Sequence, residues 1–92
     1  MIQTFNCKHT EQLFQGRCPL KFRAIRKTAE RKLQMLDSAV TVDFLRSPPG
    51  NRLEALKGSR TGQFSIRIND QWWVCFRFEN GHAYDVEIVD YH

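Results

Sequence analysis

Gln63-Phe-Ser-Ile-Arg-Ile68, Trp72-Trp-Val-Cys-Phe-Arg-Phe78 and Ala83-Tyr-Asp-Val-Glu-Ile-Val89 follow one another through the last third of the chain, which runs on to Asp90-Tyr91-His92. Each alternates apolar and polar residues and is rich in Val, Ile, Phe, Tyr and Trp, the pattern of a half-buried strand. Asn69-Asp70 separates the first pair and Glu79-Asn80-Gly81 the second, and both fit hairpin connections. Alternation also assigns faces. Phe64, Ile66, Ile68, Trp72, Val74, Phe76, Phe78, Tyr84, Val86 and Ile88 are expected to face a core. Gln63, Ser65, Arg67, Trp73, Cys75, Arg77, Asp85, Glu87, Val89 and, by parity, Tyr91 belong to the opposite face. A functional site is expected on that second face.

Working outward, Phe22, Ile25, Ala29, Leu33 and Leu36 recur at steps of three and four and predict one amphipathic helix. Pro19 suits its first position, and the pattern fades at Asp37-Ser38. Lys21, Arg23, Arg26, Lys27, Arg31 and Lys32 take its remaining faces. Upstream, Met1 to Cys7 is expected to add a short strand. Thr10 to Gly16 predicts a brief helix with Thr10 as N-cap and Gly16 as the left-handed stop. Downstream, Thr41 caps a helical turn that Ser47-Pro48-Pro49-Gly50 ends, and Arg52 to Gly62 reads as a loop. The fold class is α+β: a small antiparallel sheet with the N-terminal helices packed on one face.

The 92 residues, 41% hydrophobic and 26% charged, predict one soluble domain over 1–92. No apolar run approaches the ~20 residues of a membrane helix, and the N-terminus lacks a signal peptide's order of charges and apolar residues. Cys7, Cys18 and Cys75 are too few and too scattered for a disulfide framework, so reduced thiols and a cytoplasmic location are expected. From Arg17 to Lys32 there are seven Lys/Arg and one acid, Glu30. Such a block is either a solvated helix face or a footprint for a polyanion or acidic partner.

The phosphate-binding G-x-x-x-x-G-K-[ST] loop, the G-x-S-x-G elbow and H-E-x-x-H are missing from the sequence. His9, His82 and His92 have no metal-ligand spacing, so no metal and no cofactor are expected. What remains suits metal-free phosphodiester chemistry. Cleavage of RNA by its own 2′-hydroxyl needs a base for that proton, an acid for the leaving 5′-oxygen and cations for the developing charge. Asp90, Tyr91 and His92 supply titratable groups and a ring at one place, and imidazole titrates near pH ~6.5. Lys57, Arg52, Arg60, Arg67 and Arg77 supply positive charge, and Trp73 or Tyr91 a surface on which an unpaired base stacks. Set against this, Cys75 reads as a small buried residue and His9 and His82 as surface positions beside turns. Asp85 and Glu87 are expected to pair with Arg67 or Arg77 across strands.

These residues resemble a known family. Leu53-Glu-Ala-Leu-Lys-Gly58, Ser65-Ile-Arg-Ile-Asn69, Gln71-Trp72, Phe76-Arg-Phe78, Asp85-Val-Glu87 and Asp90-Tyr91-His92 look like the HigB-type toxins of the RelE/ParE superfamily of bacterial toxin–antitoxin systems. Arg46 to Leu56 is most similar to the GraT-like branch. The resemblance implies a RelE-like fold and an endoribonuclease that cuts mRNA in the ribosomal A site and inhibits translation. It implies a helix-turn-helix (HigA-type) antitoxin as partner, with operator DNA bound only through that complex. By the same resemblance Asp90, Tyr91, His92 and Lys57 match the catalytic positions. Two positions depart from it: Glu54 stands where many relatives have histidine, and Trp73 where they have arginine. The alternative is therefore a non-catalytic or attenuated member, gyrase-directed or disarmed, that binds nucleic acid or a partner without cutting. A third reading is a module whose cationic helix docks an acidic protein.

Overall fold

The computed structural model describes residues 1–90. Its sheet has four strands in the order of the chain: β1 (Glu54–Ala55), β2 (Phe64–Arg67), β3 (Trp72–Glu79) and β4 (His82–Asp90), with every neighbouring pair antiparallel. The turn chemistry explains the register. Asn69 Oδ1 accepts from the backbone N–H groups of Gln71 and Trp72, each at 2.8 Å, and folds β2 back into β3. Between β3 and β4, Asn80 and Gly81 have φ of 50° and 81°, the left-handed pair that a two-residue hairpin needs to match strand twist.

Register slips once. Cys75 pairs with Glu87 but Arg77 pairs with Tyr84, so β4 carries an extra residue, and Asp85 absorbs it at φ 54°. A bulge of this kind reverses the parity of everything beyond it. Ala83 is thereby buried, and Tyr84, expected in the core, turns to the opposite face, where the Arg77 guanidinium lies 4.7 Å from its ring centre.

The outer edge of β4 is covered, which blunts an edge otherwise open to pairing with other chains. Residues 1–6 run parallel to it through bridges at Ile2–Ala83 and Phe5–Val86. Thr4 Oγ1 accepts from the Asp85 amide at 2.8 Å and so holds the bulge. Thr10 continues this role. It is not the N-cap, because α1 (Lys8–Phe14) starts two residues earlier; it is fully buried, and its Oγ1 accepts the Ile88 amide at 3.0 Å. Gly16 does adopt the left-handed stop, with the Gly16 and Arg17 amides bonded to the Leu13 and Gln12 carbonyls.

The predicted long helix is two pieces. Leu20–Ile25 is a 3-10 helix with Pro19 before it, and α2 (Arg26–Ser38) follows after a break at Ile25. Phe22 and Ile25 are three residues apart, so the tighter helix stacks both onto the sheet, whereas Ile25, Ala29, Leu33 and Leu36 need α spacing. All five are buried against Ile66, Val74, Phe76, Val86 and Ile88, and Phe22 meets Trp72 edge to face at 5.6 Å. Thr41 caps the 3-10 turn Val42–Arg46 as predicted, its Oγ1 accepting from Phe44 N.

Lys32 leaves the cationic surface that the sequence suggested. It is buried, and its Nζ donates to Asn51 Oδ1, while Asn51 Nδ2 donates to the carbonyls of Leu45 at 3.1 Å and Ser47 at 3.4 Å. Burial first, and then the neighbouring Arg31 charge, lower the Lys32 pKa from its ordinary 10.5. The unfolded chain therefore holds this proton to higher pH than the folded one, and the cost of burying the charge is present in full at neutral pH. That cost fades as pH climbs from the lowered value towards 10.5. The stability of the wild type minus that of Lys32→Met should accordingly rise with pH through this alkaline window. Urea midpoints at a series of pH values measure it, and a flat or falling difference contradicts the assignment.

Candidate functional site on the open face of the sheet

Helices cover one side of the sheet, and the other side is where the polar half of each alternating strand points. Its middle row follows from register: Glu54, Ser65, Cys75 and Glu87 lie opposite one another across the four strands. Ser65 and Cys75 are nevertheless buried, at 1% and 0% exposure. Arg60 reaches across the same row. From the 3-10 turn Gly58–Arg60 after β1, its side chain crosses to β4 and ion-pairs with Glu87 at 3.3 Å, so it lies above the row that Ser65 and Cys75 occupy. Gln63 Oε1 accepts from Arg60 Nη1 at 3.0 Å, and Asn6 Nδ2 donates to the same Glu87 oxygen at 3.3 Å. Glu87 thus pairs with an arginine, as expected, but with the loop residue and not with Arg67 or Arg77.

The next row towards the end of β4 holds Arg67, Trp73 and Val89. Arg67 donates to Asp70, whose own side chain is 97% exposed. An ion pair with a partner so open to water contributes little and exchanges readily for another anion. The row on the other side holds Arg77 and Tyr84. Arg77 is engaged by Glu79 at 2.6 Å and Asp85 at 3.4 Å, and its proton is held still more firmly than usual, chiefly by the bond to Glu79. Of the cations expected to meet RNA, Arg60 and Arg67 therefore share a face with Trp73. Arg77 sits on that face with its charge already met.

The remaining residues are placed at its borders. Arg52 is exposed at φ 47°, just after the 3-10 turn Pro49–Asn51, and Lys57 is exposed just before the turn that carries Arg60. The two lie on the β1 side. Asp90 closes β4, where it pairs with Trp72 and accepts from Gln71 Nε2 at 3.0 Å. Directly opposed residues point to the same side of a sheet, so Asp90 shares the side of Trp72 and not that of Trp73. Following register from Leu56, whose amide bonds Gln63 O, Lys57 and Asp90 are separated by roughly 15–20 Å along the strand direction at ~3.3 Å per residue. Tyr91 and His92 lie outside the described residues. No three His, Cys, Asp or Glu side chains among the described residues are grouped to hold a metal ion.

Two features escaped the sequence reading. β1 is only two residues long, too short for period two to register, and the Arg60–Glu87 pair joins a loop to a strand. Nothing in local spacing signals that contact. On the helix side, Lys21, Arg23, Lys27 and Arg31 are exposed, and Arg26 is the cation there that meets an acid, Glu30 at 3.4 Å.

This arrangement can be set beside known proteins. The family model described as "RelE-like toxin of type II toxin-antitoxin system HigB" matches residues 3–92. Toxin HigB-1 of Vibrio cholerae is 39% identical over 85 residues, 90% of each chain. Endoribonuclease HigB of Proteus vulgaris is 38% identical over 61 residues, 66% of this chain and 65% of that protein. Among solved structures, a chain of the YoeB-YefM complex from Staphylococcus aureus superposes with a TM-score of 0.63 at 23% identity, covering 100% of this chain and 95% of that one, which shows a shared fold. A match along nearly the whole chain, on a four-stranded antiparallel sheet backed by helices, establishes that the chain belongs to the HigB-like family of RelE-like toxins of type II toxin–antitoxin systems.

Proposed function

We propose that this chain is a metal-independent endoribonuclease of 1–92, one toxin domain, that cuts messages in the ribosomal A site. The observation that carries the reading is the presence of Arg60, Arg67 and Trp73 on one open face of the sheet. Two cations beside an indole suit a single RNA strand, whose phosphates need positive charge and whose bases stack on aromatic rings. The name of the Proteus vulgaris relative, an endoribonuclease, supports the same reading.

In the proposed reaction the 2′-oxygen attacks the adjacent phosphorus while a base takes its proton. The P–O5′ bond then breaks, and an acid protonates the leaving oxygen. The products are a 2′,3′-cyclic phosphate and a 5′-hydroxyl, and no water or metal is consumed. His92 serves as acid or base, Asp90 orients it and Lys57 meets the charge of the phosphorane. Tyr91 stacks, Arg52 extends the RNA contact on the β1 side, and Arg77 joins it on the other by exchanging Glu79 or Asp85 for a phosphate. Because Lys57 and Asp90 lie far apart along the strands, the proposed site requires Lys57 to act on a phosphate of the bound strand and not through contact with Asp90.

The partner in this reading is a helix-turn-helix, HigA-type antitoxin, with operator DNA reached only through the joint complex. The resemblance of Arg46 to Leu56 supports the GraT-like branch in this reading, and the proposed site of action is the cytoplasm. No helix among the described residues is long and apolar enough to cross a membrane. Pulsed expression with and without the candidate antitoxin tests the reading. Messages should shorten within translated frames and recover when the antitoxin is supplied; intact messages during growth arrest would refute it.

Trp73 favours an attenuated member as the second reading, since it stands on the RNA-facing side where relatives carry arginine. A charge-assisted bond to phosphate is of order 1.5–3 kcal/mol. Trp73→Arg should therefore raise toxicity about tenfold or more if the indole is a disarming change. Equal or lower toxicity assigns Trp73 a native stacking role. Titrating the inducer against growth rate decides between them.

A further inference from the structure

Arg60 is held in an unusual way for a surface arginine. A guanidinium has five N–H donors in one plane. Nη1 spends its two on Gln63 Oε1 at 3.0 Å and Glu87 Oε1 at 3.3 Å, and Nη2 spends one on that same Glu87 oxygen at 3.3 Å. Left over are Nε–H and the second Nη2–H, which lie along the other edge of the plane, and neither has a partner among the described residues. These two N–H groups form the fork that grips a phosphate or carboxylate through two parallel bonds. The side chain is 30% exposed, so the fork remains within reach of solvent, and Glu87 is 23% exposed.

The supports of Arg60 come from three directions. Gln63 precedes β2, Glu87 is on β4, and Asn6, which steadies Glu87, belongs to the N-terminal segment along the far edge of the sheet. Gly58 and Gly62, at φ 67° and 94°, flank the turn and give the loop the bend that brings Arg60 inward. An arginine intended only to close the face would have its outward edge capped as well. A free surface arginine would pay rotamer entropy on meeting each phosphate, which this one has already lost.

We infer that Glu87 is a positioning residue: with Gln63 it orients Arg60 so that the Nε/Nη2 edge receives one phosphate of a bound RNA strand. This rests on the ribonuclease reading above, and Glu87 itself touches no substrate. Its carboxylate accepts three donors on a single oxygen, which fixes its geometry and suits it to holding a cation.

The test is single-turnover cleavage of a message on programmed ribosomes at increasing toxin concentration, which separates the saturating rate from the half-saturating concentration. Glu87→Ala should raise the half-saturating concentration about tenfold and leave the saturating rate within about twofold. Arg60→Ala should do the same, and the double variant no more than either single change. Arg60→Lys should be as poor as Arg60→Ala, because an ammonium held by Glu87 has no fork to offer. Glu87→Gln, which keeps the acceptor oxygen and the shape, should fall between wild type and Glu87→Ala. A residue that merely stabilises the fold would reduce the fraction of active toxin without moving half-saturation. An unmoved half-saturating concentration in Glu87→Ala, or additive losses in the double variant, overturns the inference while the ribonuclease reading stands. A wild type that leaves the ribosome-bound message uncut overturns the reading beneath it.

Discussion

His92→Ala should abolish growth inhibition while the protein stays folded. In the proposed chemistry His92 moves a proton in the step that breaks the chain, and loss of a general acid or base lowers such a rate by ~10²–10⁴-fold. No other imidazole stands in for it. His9 is exposed on α1, and the His82 ring is engaged with Gln3 Nε2 at 3.1 Å beside the β3–β4 turn, seven rows of register from Asp90 along β3. Induced expression followed by growth curves reads the loss, and circular dichroism melts confirm that the fold persists. Undiminished toxicity in a folded His92→Ala protein would remove the ribonuclease reading and leave a binder.

The largest effect on stability is expected at Asn51, far from that chemistry. Asn51 is fully buried and joins three separate stretches: it accepts from Lys32 on α2 and donates to Leu45 and Ser47 before the double proline. Asn51→Ala would leave a buried ammonium without its acceptor and two carbonyls without their donor. An unpaired buried polar group costs about 1–3 kcal/mol and a charged one more, so a loss of about 3 kcal/mol or more is expected. At ~4–8 °C per kcal/mol for a domain of this size, the melting midpoint should fall by about 12 °C or more. Asn51→Asp isolates the donor bonds: it keeps an acceptor for Lys32 and loses both contacts to carbonyls. Urea unfolding of the two variants measures this, and a loss below ~1 kcal/mol in Asn51→Ala would mean that the buried lysine finds water.

Much of this architecture is legible in the chain because alternation and turn chemistry agree. Phe64 to Ile68 and Trp72 to Phe78 lie in antiparallel register as their patterns require, and Asn80-Gly81 turns where an Asn-Gly pair should. Tyr84 departs from its expected face for a physical reason: period two assumes an unbroken ladder, and one extra residue at Asp85 inverts the faces beyond it. Thr10 differs from the expected N-cap because a threonine in this position suits a cap and an outer strand edge alike. The edge at Ile88 lacked a partner, and it took the hydroxyl. Lys32 shows the limit of helical periodicity, which ranks faces by apolar content and is silent about a buried polar partner nineteen residues away.

The candidate site was legible in kind and less so in geometry. Arg67, Trp73 and Arg77 fall on the open face by parity alone, yet parity says nothing of which charges are already met. Arg77 is satisfied by Glu79 and Asp85, whereas Arg67 leans on a single exposed acid. The role of Glu87 depends on a loop arginine that only the folded chain brings across the sheet.

A metal-free cut made by the RNA's own 2′-hydroxyl leaves its mark in the chemistry of the new ends. RNA collected after a short pulse of expression should carry new 5′-hydroxyl ends inside translated frames, each matched by an upstream 2′,3′-cyclic phosphate. New 5′-phosphate ends, the signature of water-driven, metal-assisted hydrolysis, would contradict it.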